Sequence, residues 1–264
     1  MKILQMRHHS RIVFFLLALT FITQLSFSQA IVNTEKIFGD EKEKFYLGIE
    51  FSIKGKRGNT NVFELDENFS IGCRVGNNWF RLIGGNKLLS QKDVDLINYA
   101  FIQIRYNYFF SKRIRTFHFF QLQSNKAILL KRRSLVGSGL RFSIFRSDSF
   151  IFDIGTGLMY EEEFLNEEFL QVTEPSVTKL FRLTNILVLK YQLNERLTFV
   201  NINYFQPSLK KLSDLRILDE FNFLVEVTKN FEIDLALKWR LDNDPPAFLK
   251  KNDLNFEIGL IIKM

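Results

Sequence analysis

Two residues near the middle of the chain have types that support nucleophilic chemistry. His118 is the only histidine outside the first ten residues. If the hairpin that follows it is symmetric about Ile128, His118 stands opposite Ser138. An imidazole beside a hydroxyl can take its proton and activate it against an ester. On a lipid-facing wall such a pair would suit an esterase or phospholipase. The surrounding run Thr116-Phe117-His118-Phe119-Phe120 supplies no polar group to orient the imidazole. An interfacial histidine is the preferred reading, and no catalytic residue is assigned. With His8 and His9 in a leader expected to be cleaved, the one remaining histidine also excludes a multi-histidine metal site.

Other charged groups are weaker signals. Asp242-Asn243-Asp244 with Asp253 echoes a calcium loop, but Pro246 and Ala247 stand where a ligand and the turning glycine are needed. A proline-stiffened loop is expected there, with no metal. Glu161, Glu162, Glu163, Glu167, Glu168 and Glu174 read as one acidic loop. Lys54, Lys56, Arg57, Lys126, Lys131, Arg132, Arg133, Lys210, Lys211, Lys250 and Lys251 gather near the same ends of the pattern. They could hold phosphates by charge-assisted bonds. No glycine-rich phosphate loop, paired cysteine ligands or nucleophile elbow occurs, and no cofactor is implied.

The elements that would carry these groups alternate with period two. Leu254, Phe256, Ile258, Leu260 and Ile262 face one way, and Asn255, Glu257, Gly259, Ile261 and Lys263 the other. Phe231, Ile233, Leu235, Leu237, Trp239 and Leu241 oppose Glu232, Asp234, Lys238, Arg240 and Asp242. Successive side chains of a strand point to opposite faces, so each segment lies between an apolar medium and a wet one. Twelve such segments are expected. The third, around 78–89, is weak, and the eighth, about 179–193, is apolar on both faces for part of its length.

The first thirty residues read as a cleaved signal peptide. Lys2, Arg7 and Arg11 are basic, Ile12 to Ile22 is apolar, and Ser28-Gln29-Ala30 is a small-x-small site. The expected domain is then 31–264. Losing three basic residues leaves 33 Lys+Arg against 29 Asp+Glu, or +4, too slight and dispersed to argue for nucleic acid. Cys73 is the only cysteine, so no intramolecular disulfide forms. No later apolar run approaches the ~18 residues of a spanning helix.

Turn lengths alternate. Short turns are expected near 76–77, 111–113, 147–148, 194–195 and 228–230. Longer connections are expected near 54–61, 84–97, 125–131, 161–178, 205–214 and 242–253. Aromatics near strand ends, Tyr108, Phe110, Phe150, Tyr160, Phe221 and Phe231, match the interfacial girdles of a membrane barrel. The fold expected is all-β: a transmembrane antiparallel β-barrel of about 12 strands in the bacterial outer membrane, closed by its first and last strands.

Several segments resemble the salt-induced outer-membrane protein family, which carries a domain of unknown function. They are Gly58-Asn59-Thr60, the run from Asn107 to Arg113, the run from Arg132 to Leu140, the run from Gly155 to Glu161, and Asp242-Asn243-Asp244-Pro245-Pro246 with Lys251 and Asp253. The resemblance implies an outer-membrane barrel, suggests an osmotic or salt response, and brings no catalytic motif.

The polar face then lines a lumen. Its candidate ligand-binding residues are Arg105, Arg141, Asp153, Arg182, Glu226, Asp234, Lys238 and Arg240. Phe117, Phe119, Leu135, Ile186, Val188 and Leu224 share that face, which predicts a partly filled lumen. The function expected is non-enzymatic, in the envelope, with a narrow diffusion channel for small polar solutes as the alternative. Expected partners are outer-membrane lipid including lipopolysaccharide, and the barrel-assembly machinery during biogenesis. A monomer is expected.

Overall fold

A computed structural model describes residues 44–263 apart from 57–61, 92–93, 173 and 247–248. The leader at 1–30 and the Gly58-Asn59-Thr60 segment lie outside the described residues. Twelve strands follow in chain order: β1 (Phe45–Lys56), β2 (Val62–Val75), β3 (Asn78–Gln91), β4 (Val94–Tyr108), β5 (Ile114–Asn125), β6 (Leu130–Arg146), β7 (Phe150–Leu165), β8 (Val177–Gln192), β9 (Leu197–Pro207), β10 (Leu215–Thr228), β11 (Phe231–Asp242) and β12 (Asn252–Lys263). Each pairs antiparallel with its neighbours in sequence.

The ring closes between β1 and β12, from Gly48 opposite Lys263 to Phe51 opposite Leu260. Closure removes the two free edges and gives the wall's backbone groups partners inside the sheet. Side-chain parity then sorts the residues. Phe45, Ile104, Ile144, Leu237, Phe256 and Ile258 are exposed on the outer wall, whereas Arg105, Asp153, Arg182, Glu220 and Asp234 are buried inside. An apolar exterior around charged contents is the polarity of a barrel set in lipid, the inverse of a soluble barrel.

The long hairpins correct three expectations. Residues 84–97 are not a long connection, because β3 and β4 stay paired up to Gln91 and Val94. The apolar pattern fades there because a polar lumen accepts Lys87, which meets Glu64, Asp66 and Glu257 at 3.4–3.5 Å. Glu161, Glu162 and Glu163 likewise belong to β7, not to a loop. Phe221 lies mid-strand, since β10 begins at Leu215. By contrast, the turn of β5 and β6 is centred as expected. Asn125 caps it by accepting from the Ala127 amide at 3.0 Å, Leu129 takes a left-handed φ of 58°, and His118 pairs with Ser138.

The lumen holds a hydrophobic core of its own. Tyr46, Trp79, Phe109, Phe117, Val188, Ile202, Tyr204, Leu218, Leu224 and Ile261 are buried in one cluster with Ile186 and Val200. Trp79 is on β3 and Ile202 on β9, six strands apart in a ring of twelve, so the cluster crosses the lumen from wall to wall. Phe117 can turn inward because glycines face it. A Cβ at Gly139 would lie 2.5 Å from its ring and 2.3 Å from the Thr156 carbonyl oxygen.

Candidate functional site

The lumen is the candidate site, and it contains three charged groups around the apolar layer. The first closes the loop end. Arg182 Nε donates to Glu161 at 3.1 Å, and its Nη2 donates to both Asp214 oxygens at 2.9 Å. Its Nη1 donates to the Gln206 and Asp214 carbonyls at 3.2 Å. Arg216 Nη1 donates to Glu161 at 2.6 Å and Glu163 at 2.9 Å, and its Nε to Asp242 at 3.0 Å. Arg133 donates to Glu163. Three guanidiniums and four carboxylates thus join β6, β7, β8, β10, β11 and the β9–β10 connection. Buried charges are tolerable when, as here, both Coulomb partners and hydrogen bonds are present. Outside this network, Lys211 meets Asp244 at 2.9 Å across two loops. That hydrogen bond raises the lysine's pKa above its ordinary value.

The second group lies on the β1–β3 and β11–β12 side, where Lys87 and Lys238 share Glu257. Asn68 donates to Glu50 at 3.4 Å and Asp66 at 3.2 Å. The third group is at the turn end. Asp153 accepts from Arg115 at 2.9 Å, Arg141 at 3.1 Å and the Ser143 hydroxyl at 2.7 Å. Arg146 stands 3.6 Å away.

The eight lumen candidates therefore do not converge. Arg141 and Asp153 share the turn-end group, Arg182 anchors the loop-end network, and Lys238 joins Glu257. Arg105 is buried, with its guanidinium carbon 5.8 Å from the centroid of the Phe119 ring. Asp234 sits beside Glu220, and the Asn222 amide donates to both at 3.1–3.2 Å. Glu226 is opposite Glu232 in register, and Arg240 opposite Leu218. In the strongest group, Glu161 and Glu163 read in sequence as loop and Arg133 as part of the basic cluster, whereas Arg216, which joins them, is not singled out by the sequence pattern. The group's legible signal was the spacing of Glu161 and Glu163, which puts both on one face of a strand.

The outer wall carries the other candidate. His118 Nδ1 and Ser138 Oγ are 2.9 Å apart, and the imidazole stacks on Tyr106 with centroids at 5.6 Å. A groove of about 560 Å³ opens beside them, lined by Ile104, Tyr106, Val136, Leu158 and Tyr160. Ester hydrolysis also needs donors aimed at a developing oxyanion. The backbone about Ser138 is committed to ladders on both sides. The pair is a lipid-facing hydrogen bond, not a built hydrolytic centre.

No curated protein matches the chain. Similar solved structures include the NanC porin, at 9% identity and a TM-score of 0.45 over 83% of this chain and 97% of that one. The translocator domain of autotransporter NalP from Neisseria meningitidis has 8% identity and a TM-score of 0.49 over 83% and 87%. The CymD monoaromatic hydrocarbon channel has 9% identity and a TM-score of 0.41 over 84% and 87%. At this level neither their lumens nor their activities transfer to this chain. A family match does run through the barrel, over residues 49–264, and by it the chain belongs to the family described as protein of unknown function, DUF481.

Proposed function

We propose that this chain is a non-enzymatic outer-membrane barrel that serves the envelope as a closed structural element. The observation that carries the reading is the lumen's content. An apolar cluster reaches from β3 to β9, and a charge-paired network lies over it at the loop end. Ions crossing an apolar layer lose hydration without compensation, so conduction through it is strongly disfavoured. The exposed apolar wall supports a place in lipid, and the signal-like leader supports export. Lys126, Lys131, Lys210 and Lys250 are exposed at the loop end, where lipopolysaccharide phosphates would meet them. A link to osmotic or salt stress rests on sequence resemblance alone.

Single-channel recording of full-length mature protein in planar bilayers tests this. Small or absent conductance is expected. Large, stable conductance with ion selectivity would refute it and favour a diffusion channel for small polar solutes. The charged loop-side half of the lumen is the feature such a channel would use.

A further inference from the structure

The outer wall is not apolar all the way round. His118, Ser138, Thr156, Asn185, Asn203 and Asp219 occupy six consecutive strands, β5 to β10, and share the outward parity. They stand four, eight, six, seven, six and nine residues from the turn-side ends of their strands. Neighbouring strands are staggered round the barrel, so these positions form a level arc. His118 and Ser138 are register partners, as are Thr156 and Asn185, and Asn203 and Asp219. Exposed aromatics bracket the arc: Phe110 and Phe231 towards the turns, Phe181 and Trp239 towards the loops. The arc therefore lies within the lipid-facing band. On the opposite side, Leu237, Phe256 and Phe51 hold comparable levels and are exposed and apolar. Glu67 and Asn86 make a separate pair on β2 and β3.

Polar groups facing hydrocarbon are costly unless they find partners. Those in the arc find them only in part. Thr156 Oγ1 donates to Asn185 at 2.9 Å, and Asn185 Nδ2 donates to the Phe205 carbonyl at 3.2 Å. Asn201 donates to Asp219 at 2.7 Å. An amide has two N–H donors and an oxygen with two lone pairs, so Asn185 keeps a donor and an acceptor site for an outside group.

We infer that the centre of this arc, Thr156 on β7 and Asn185 on β8, is a docking face for a second copy of the same chain. A membrane holds every copy at the same depth and in the same orientation. A two-fold axis along the membrane normal then brings Thr156 and Asn185 of one copy against those of the other. Threonine and asparagine each carry a donor and an acceptor, so this face complements itself. Lipid tails offer neither group. Two cylinders touch along a narrow strip, which limits the contact to β7, β8 and their immediate neighbours. This departs from the monomer expected from sequence, and it rests on the barrel lying in lipid.

The test uses full-length mature protein in liposomes, in a Cys73→Ser background. Single cysteines at Asn185, Thr156 and, as a control on the far wall, Ile258 are exposed to an oxidant. Covalent dimers at 185 and 156, with few at 258, are expected. Equal yields at all three sites, or none at 185, overturn the inference. Energy transfer between labelled copies, read against protein-to-lipid ratio, gives the association constant. Asn185→Leu should weaken it by about three- to tenfold, the range expected for one or two interhelical-strength hydrogen bonds in lipid. Unchanged association also overturns it. Heat-modifiable migration of every sample reports separately on barrel insertion.

Discussion

The glycines that cradle Phe117 give the sharpest test of the filled lumen. A methyl at Gly139 would meet the Thr156 carbonyl oxygen at 2.3 Å, the Phe117 ring at 2.5 Å and Gly157 Cα at 2.6 Å. Ordinary carbon contacts lie near ~3.5–4.0 Å, so β6 and β7 would have to separate by about 1 Å. Gly139→Ala should therefore cost about 2–3 kcal/mol, the upper part of the overpacking range. Gly155 faces the same ring, but a Cβ there meets Phe117 at 3.5 Å and Ile186 and the Leu140 carbonyl at 3.6 Å. Those are ordinary contacts. Gly155→Ala should be neutral or stabilise by about 0.4–1 kcal/mol, through lost freedom in the unfolded chain. Denaturant unfolding of refolded protein in detergent or lipid, read by tryptophan emission, measures both; Trp79 is 4% exposed and reports on the lumen. The double change Phe117→Ala/Gly139→Ala should recover only part of the loss, because the carbonyl contact remains. Gly139→Ala within ~0.5 kcal/mol of wild type, or equal costs at 139 and 155, would refute the inward placement of Phe117.

Three further outcomes follow from the same geometry. Leu235 faces outward between Phe223 and Ile258, so Leu235→Arg should cost on the order of 2–4 kcal/mol of folding into lipid, measured by denaturant titration in vesicles. Arg182→Ala would leave Glu161 and Asp214 without one of their closest cations; a loss of about 3–5 kcal/mol is expected, with faster trypsin cleavage at Lys210 and Lys211 as the β9–β10 connection loosens. Deleting Leu260 to Met264 removes the four β12 partners of the β1–β12 seam among the described residues, so heat-modifiable migration should be abolished; a truncated chain that still migrates as a compact barrel would place closure elsewhere.

Much of this protein was legible in its sequence because a strand in a two-sided environment must alternate. Period two in β11 and β12 fixed which side chains face out, and hairpin symmetry about Ile128 fixed the meeting of His118 and Ser138. Closure followed from the cost of an open edge. The alternation failed where the lumen admitted polar groups, so Lys87 made the β3–β4 hairpin look like a loop and Glu161 and Glu163 made the end of β7 look like one. Parity names a face but not a partner. Only the closed ring brings Arg182 on β8 to Glu161 on β7 and Asp214 beyond β9, or Trp79 and Ile202 into one cluster across six strands. The level arc on the outer wall is likewise invisible along the chain. Its members lie 16 to 29 residues apart at successive steps, and the stagger of neighbouring strands alone brings them to one height.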